Sequence, residues 1–233
     1  MNPTKTLPNV FRRDVQKFRK LVQNAGIVVS NETMLLLIEY ISLVLSWNNK
    51  CNLVSSDDEP RIFTRHIFES LLLTKTADFN GTKKMLDIGS GAGFPAIPLK
   101  LWNPNLQITM IESRRKKVIF LNNAIDYLGL DGTAACWMRA EDGNTDESLQ
   151  NAFDIVTARA VTALPRLLQL AKPYLSINKS QKGICVFPKG SAAFQEAGRI
   201  NRRIWNVSIQ DVTSFLLDKI PPRYVVIAYK IDT

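Results

Sequence analysis

The rhythm of apolar positions changes near residue 84. Before that point every periodic stretch has helical spacing. Val10, Phe11, Val15, Phe18 and Val22 recur along one face through about Asn24, with Arg12, Arg13, Lys17, Arg19 and Lys20 on the others. Gly26 then reads as a stop, and Ser30 or Asn31 as the cap of a second, more apolar helix running to about Asn48. The stretch WNNKCNLVSSDDEP is polar and turn-rich, and is expected to be a loop. A third helix, from about Glu59 to Thr74, takes in RHIFESLLL.

Beyond residue 84 short apolar runs alternate with amphipathic ones. Strands are expected at Lys84–Ile88, Gln107–Glu112, Ala134–Met138, Phe153–Ala158, Gly183–Pro188, Ile204–Val212 and Tyr224–Tyr229. Helices fill the gaps at about Pro95–Trp102, Arg115–Leu128, Leu164–Leu175 and Ala192–Arg203. Such alternation predicts an α/β protein with a mostly parallel, seven-stranded sheet covered by helices on both faces. Residues 1–80 would form a helical N-terminal extension packed on a core of residues 81–233. The last two strands are joined by SFLLDKIPPR, whose paired prolines suggest a hairpin-like excursion and not a crossover helix.

The stretch KKMLDIGSGAGFPAIPLK, from Lys83 to Lys100, is read as strand, glycine turn and helix start. Gly89, Gly91 and Gly93 can adopt left-handed backbone angles and let a ligand approach the main chain. A turn of this kind is expected to present free N–H groups and a helix N-terminus, starting near Phe94 or Pro95, to a nucleotide-like ligand. A dinucleotide fingerprint would place a third glycine at position 94, where this chain has Phe94. Glu112 closes the second strand about twenty residues on, where a carboxylate can accept ribose hydroxyls in NAD and S-adenosylmethionine (SAM) enzymes alike. The glycine spacing and Pro95 favour SAM over a nicotinamide cofactor.

Composition narrows the setting. The longest apolar stretch, Met34–Trp47, carries Glu39 and is too short to span a bilayer, and Met1–Val10 holds no apolar run of a signal peptide. Cys51, Cys136 and Cys185 fit neither a disulfide framework nor a metal site, so a reducing, cytoplasmic compartment and no metal are expected. The net charge of +9 points to a polyanionic partner, nucleic acid first. Basic clusters at Arg12 to Lys20, Arg61 to His66, Arg114 to Lys117 and Arg199 to Arg203 offer the surface, with Trp47, Phe94 and Lys189 expected on one basic side near the cofactor cleft.

Strand ends carry the candidate chemistry. The third ends in Met138-Arg139-Ala140-Glu141-Asp142 and the fourth in Thr157-Ala158-Arg159-Ala160. The fourth lacks the N-P-P-[YF] or D-P-P-[YF] of adenine amino-group methylation. No cysteine stands at a predicted active-site strand end, as addition to a pyrimidine ring would need. A ring nitrogen such as guanine N7 needs neither device, only alignment.

These motifs together resemble the bacterial 16S ribosomal RNA guanine-N7 methyltransferases, the RsmG or GidB family. The anchors are WNNKCNLVS, RHIFESL, LDIGSGAGFPAIPL, IESRRKKVIFL, RAED, FDIVTARAVTAL and FPKG, in order along nearly the whole chain. Singly they are weak; the ordered set is specific. The resemblance implies a Rossmann-like class I SAM-dependent methyltransferase fold, SAM as methyl donor, and a guanine in a 16S RNA loop near the decoding site as substrate. It assigns the cofactor to Asp87, Gly89, Ser90, Gly91, Gly93, Phe94, Glu112, Ser113, Ala140, Glu141 and Arg159. Arg159 and Arg139 are the candidates for catalysis, by positioning base or phosphate. Asn52, His66, Lys189 and Arg223 fall at the active-site mouth and RNA contact. Ala96 departs from a frequent glycine, and Asp142-Gly143 from the usual acidic-apolar ending of that motif. Partners implied are 16S RNA or the 30S subunit, with the protein a monomer that touches no membrane. A SAM methyltransferase acting on a protein or small molecule, and a non-catalytic RNA- or ribosome-binding module, remain as alternatives.

Overall fold

The computed structural model describes residues 9–81, 83–144, 146–177, 182–216 and 221–231. Its first helix, α1 (Asn9–Asn24), buries Phe11, Val15, Phe18, Leu21 and Val22 and exposes Arg12, Arg13, Lys17, Arg19 and Lys20. It stops where Gly26 takes a left-handed φ of 62° and Ile27 N donates back to Val22 O. Ser30 caps α2 (Asn31–Cys51), its hydroxyl accepting from Thr33 N at 3.0 Å. Between the two helices and the sheet lies a continuous apolar core that joins Phe18, Tyr40 and Phe63 to Met85, Ile97 and Met110.

The single third helix expected over Glu59–Thr74 is instead a chain of short pieces. A 3-10 turn (Glu59–Arg61) leads to a π turn (Phe63–Ile67), one α turn labelled α3 (Phe68–Leu71), and a second 3-10 turn (Leu72–Lys75). Asp14, buried on α1, causes the first break: its carboxylate takes Phe63 N at 2.7 Å and Thr64 Oγ1 at 2.6 Å and so starts a new helical register there. Phe63 and Phe68, five residues apart and both fully buried, then bracket the wide turn.

Seven strands form one sheet: β1 (Lys84–Ile88), β2 (Gln107–Glu112), β3 (Thr133–Trp137), β4 (Ile155–Ala158), β5 (Ile184–Lys189), β6 (Trp205–Asp211) and β7 (Tyr224–Lys230). The order is β3-β2-β1-β4-β5-β7-β6, parallel except where β7 runs against β5 and β6. The other helices are α4 (Ala96–Trp102), α5 (Arg115–Leu128), α6 (Leu164–Ala171) and α7 (Ala193–Ala197). The α/β class, the seven strands and the antiparallel final pair agree with expectation; residues 217–220 of the excursion lie outside the described residues.

Several boundaries differ for local reasons. α6 ends at Ala171 and not Leu175, because Pro173 lacks an N–H to continue it. Phe153, expected within the fourth strand, makes an isolated bridge to Leu175 before β4 begins. The helix expected over Ala192–Arg203 shrinks to α7, which stops before Gly198. Along β1 alternate side chains serve opposite cores, Met85 one and Leu86 and Ile88 the other. Asp87 shares the Met85 face, buried towards α2 and α4. Registers bring Ile88, Ala158, Ile111 and Cys136 level, with Glu112 and Trp137 paired one residue beyond, so the carboxyl ends of β1 to β4 share one rim.

Candidate active site

Two clefts open on that rim. The first, about 410 Å³, is lined by Ile88 and Gly89 from β1 and its turn, Ile111 and Ser113 at β2, Met138 to Glu141 after β3, and Val161, Thr162, Arg166 and Leu170 beyond β4. The second, about 300 Å³, gathers Arg65, Glu69, Arg159, Ala160, Pro188, Lys189, Gly190 and Arg223.

The glycine turn works by shape more than by free donors. Gly89, Gly91 and Gly93 have φ of 68°, 58° and 95°, the left-handed region expected of them. Their N–H groups, however, are bonded within the protein: Gly89 and Ser90 to Ile111 O, Gly91 to Glu112 Oε2 at 3.0 Å, Gly93 to Ser90 O. The expectation of an open N–H cradle at a helix N-terminus is corrected accordingly, since the turn is wound tightly on β2 and α4 begins only at Ala96. What the turn supplies is close approach. A Cβ on Gly89 would lie 2.7 Å from Val161 Cγ2, at the edge of the first cleft.

Glu112 is buried, and its other oxygen accepts Arg114 N at 2.8 Å, so this carboxylate ties the turn to the end of β2. Asp87 is fully buried, with Oδ1 bonded to Thr157 Oγ1 at 2.9 Å and Oδ2 without a partner. Burial, helped by the charge of Glu112, raises its carboxyl to about 7. Ser90 turns inward, its Oγ donating to Asp87 O. Past β3, Glu141 pairs with Arg166 at 3.1 Å, and Ala140 O accepts from Tyr174 Oη at 2.7 Å. Arg139 is exposed on the rim. Outside it, Trp137 donates Nε1 to Ser113 O and carries Arg115 over its ring at 5.6 Å.

Phe94 lines neither cleft. Its ring is buried and stacks on His66, centroids 4.8 Å apart, with Tyr40 edge-on behind it. His66 has both ring nitrogens buried without hydrogen-bond partners; burial and then the nearby Arg159 push its pKa down to about 2, so it is neutral. Trp47 is likewise packed, edge-on to Phe120, so neither aromatic forms the exposed platform expected near the cleft. Asn52 is exposed at the C-cap of α2 in a left-handed conformation and lies outside both clefts. In the same motif buried Asn48, which the sequence reading passed over, holds the loop by accepting from Leu53 N and Val54 N.

The second cleft is held by a carboxylate that sequence reasoning also missed. Glu69 accepts from Arg159 Nη2 at 2.9 Å, Arg223 Nε at 3.2 Å and Arg65 Nη1 at 3.5 Å. Arg159 Nη2 also donates to Arg65 O at 3.0 Å. Lys189 bonds Thr162 O and Glu196, both at 2.9 Å. The only trace of this in the sequence is the i, i+4 spacing of Arg65 and Glu69 inside RHIFESL. The structure thus brings His66, Arg159, Lys189 and Arg223 to one place and leaves Asn52 apart.

The residues of the first cleft fit SAM. Ile88, Met138 and Leu170 give apolar walls for a purine, Gly89 leaves room for close contact, and Ser113, Arg139 and Glu141 supply the polar side, while Glu112 lies buried behind the glycine turn. Among the described residues no cluster of three or more metal-ligating side chains occurs, and no helix is long and apolar enough to cross a membrane.

The family model described as rRNA small subunit methyltransferase G matches residues 33–219. The chain belongs to this family. A relative named ribosomal RNA small subunit methyltransferase G from Clostridium botulinum (strain Eklund 17B / Type B) is 37% identical over 177 residues, covering 76% of this chain and 72% of its own. Another of that name, from Geobacillus kaustophilus (strain HTA426), is 32% identical over 191 residues, 82% of this chain and 79% of its own. Among solved structures, a predicted O-methyltransferase from Agrobacterium tumefaciens superimposes with a TM-score of 0.55 at 14% identity, over 70% of this chain and 81% of that one. TYW2 of M. jannaschii, solved in complex with AdoMet, gives 0.51 at 14% identity, over 71% and 74%. The fold is that of the Rossmann-like class I SAM methyltransferases.

Gly89→Ala tests the first cleft. Its left-handed φ and the contact with Val161 predict a loss of stability of about 1 kcal/mol and a Kd for SAM at least tenfold higher by titration calorimetry. Wild-type affinity in a folded variant would remove the turn from the cofactor site.

Proposed function

We propose that this protein transfers the methyl group of SAM to N7 of a guanine in 16S ribosomal RNA, in the loop near the decoding site. The coarser statement comes with family membership: it is a SAM-dependent methyltransferase of small-subunit ribosomal RNA. The observation that carries the finer reading is the second cleft, at the ends of β4 and β5 beside the cofactor cleft. It is rimmed by Arg65, Arg159, Lys189 and Arg223 and contains no nucleophile. Cys51 and Cys136 are half-buried, Cys185 is fully buried with its thiol pushed up, and none of the three lines either cleft.

A cleft of this kind suits an acceptor that needs neither deprotonation nor covalent activation. The lone pair of guanine N7 is free at neutral pH, whereas an amine or hydroxyl would call for a base. His66, neutral and walled in by Phe94, does not fill that role. SAM brings a methyl group already activated on a sulfonium. The protein has then to hold acceptor and donor in line, by direct displacement without a covalent enzyme intermediate. Glu112, the glycine turn, Ala140 and Glu141 hold the cofactor side. Arg159, locked between Glu69 and Arg65 O, positions the base from between the clefts, and Arg139 reaches it from the cofactor rim. Lys189 and Arg223 guide the RNA strand.

In this reading residues 1–80 are a helical extension added to a methyltransferase core of 81–233. Exposed Arg13, Lys17, Arg19 and Lys20 on α1, with Arg114 to Lys116 at the start of α5, grip phosphates without sequence preference. The protein works as a cytoplasmic monomer on 16S RNA or a 30S particle. The test uses tritiated SAM with 30S subunits that lack the modification, and maps the label by N7-methylguanine-specific aniline cleavage. One labelled guanine, lost in Arg159→Ala, is expected. Label elsewhere on the RNA, or only on protein, would overturn the N7 assignment.

A further inference from the structure

We infer that Glu69 reads the Watson–Crick edge of the target guanine in the second cleft, accepting from its N1–H and exocyclic amine. The inference rests on the guanine reading above and adds a specificity residue to it.

The chemistry of the lining side chains leads there. Guanine bound for attack at N7 still shows one acceptor, O6, and two donors, N1–H and the amine at C2. Recognition therefore needs one donor and one strong acceptor on the protein. Of the eight residues around this cleft, Arg65, Arg159, Lys189 and Arg223 have only donor side chains, and Ala160, Pro188 and Gly190 have no polar side chain. Glu69 is the one side-chain acceptor among them. An ionised carboxylate offers about four lone-pair sites. Two are used well, by Arg159 Nη2 at 2.9 Å and Arg223 Nε at 3.2 Å, and Arg65 Nη1 is a weak third at 3.5 Å. Capacity remains, and the bracing guanidiniums hold the carboxylate in place. Arg159 keeps Nη1 without a hydrogen-bond partner, a donor of the kind O6 requires.

The same arrangement argues against a phosphate as the occupant. A phosphate has only acceptors, and here a carboxylate stands among the cations and pairs with Arg159 and Arg223, while Lys189 is taken by Glu196. Adenine fits no better, since its N1 would turn a lone pair towards Glu69. A cleft of about 300 Å³ is at the small end of ligand sites, the scale of one base.

The experiment varies the base and the residue together. 30S subunits are reconstituted with 16S RNA carrying guanosine or inosine at the target position, introduced by ligation. Inosine keeps O6, N1–H and N7 and lacks only the amine. Wild-type protein is expected to methylate inosine on the order of tenfold to a hundredfold less efficiently in kcat/KM, the loss of one hydrogen bond to a charged group. In Glu69→Gln the guanosine rate falls and the guanosine-to-inosine ratio moves towards one. A merely structural role would lower both rates and leave the ratio alone. Glu69→Asp, which keeps the charge, should retain part of the preference and covers the case in which the amide fails to fold. Equal rates on both bases with wild-type protein would overturn the proposal without any variant. So would an unchanged ratio in Glu69→Gln, or tighter RNA binding in that variant, which would mark a phosphate site. No N7 methylation of guanosine by wild-type protein would overturn instead the reading beneath it.

Discussion

In Glu112→Ala the Kd for SAM rises by at least a hundredfold, the largest single effect expected in the cofactor cleft. The side chain is buried at the end of β2, and its two oxygens hold Gly91 N at 3.0 Å and Arg114 N at 2.8 Å. Each is a hydrogen bond to an ionised acceptor, of a kind worth about 1.5–3 kcal/mol. Alanine leaves both donors unmatched and frees the glycine turn from β2, so the cofactor surface loses its shape as well as its carboxylate. A hundredfold loss corresponds to about 2.7 kcal/mol, within what two such bonds supply. Glu112→Gln keeps one acceptor but turns an amide N–H₂ towards the other donor, and an intermediate loss of about tenfold is expected. Titration calorimetry reads the affinity, and a melt without SAM shows the accompanying drop in Tm. Affinity within threefold of wild type in Glu112→Ala would mean that the cofactor sits elsewhere.

Glu112 was visible in the sequence for the same reason that it matters. It closes an apolar run one strand beyond a glycine turn, and both features are local. The turn was legible in its left-handed glycines, although not in its hydrogen bonding, because only the fold shows Gly91 N turned onto Glu112. Glu69 and Asp14 were not legible. In a one-dimensional pattern each looks like a polar position on an amphipathic helix. What makes them structural is a partner far away: Arg159 is 90 residues from Glu69, Arg223 is 154, and Phe63 is 49 from Asp14. Asp14 in turn breaks the third helix into pieces, so one unseen contact accounts for one misjudged element. The ring of Phe94 was misplaced for another reason. Its place after the glycines suggested ligand contact, but an aromatic ring beside Tyr40 and His66 gains more by packing.

The second large effect is a pH dependence carried by Asp87. In the folded protein burial raises its carboxyl from 3.8 to about 7, with the Ser90 and Thr157 hydroxyls opposing the rise and Glu112 adding to it. The folded state therefore holds this proton more tightly than the unfolded chain. The stability it contributes is complete below about pH 4, declines as pH rises towards 7, and is gone above, a span worth about 4 kcal/mol. Asp87→Asn keeps an oxygen for Thr157 and removes the charge. Without SAM, the variant should be more stable than wild type at pH 8, by a margin that shrinks steadily down to pH 5 in urea unfolding. The difference between the two proteins isolates this residue from every other titrating group. SAM binding should run the opposite way. Oδ2 is the buried oxygen left without a partner, and only as a carboxylate does it offer a charge to the cationic part of the cofactor. Wild-type affinity is then expected to rise about tenfold from pH 6 to pH 8, while Asp87→Asn binds weakly at both. If both proteins show one pH slope for stability and one for binding, the carboxyl does not titrate in this range. If the stability slopes differ but the binding slopes agree, Asp87 is a buried strain on the fold that the cofactor does not use.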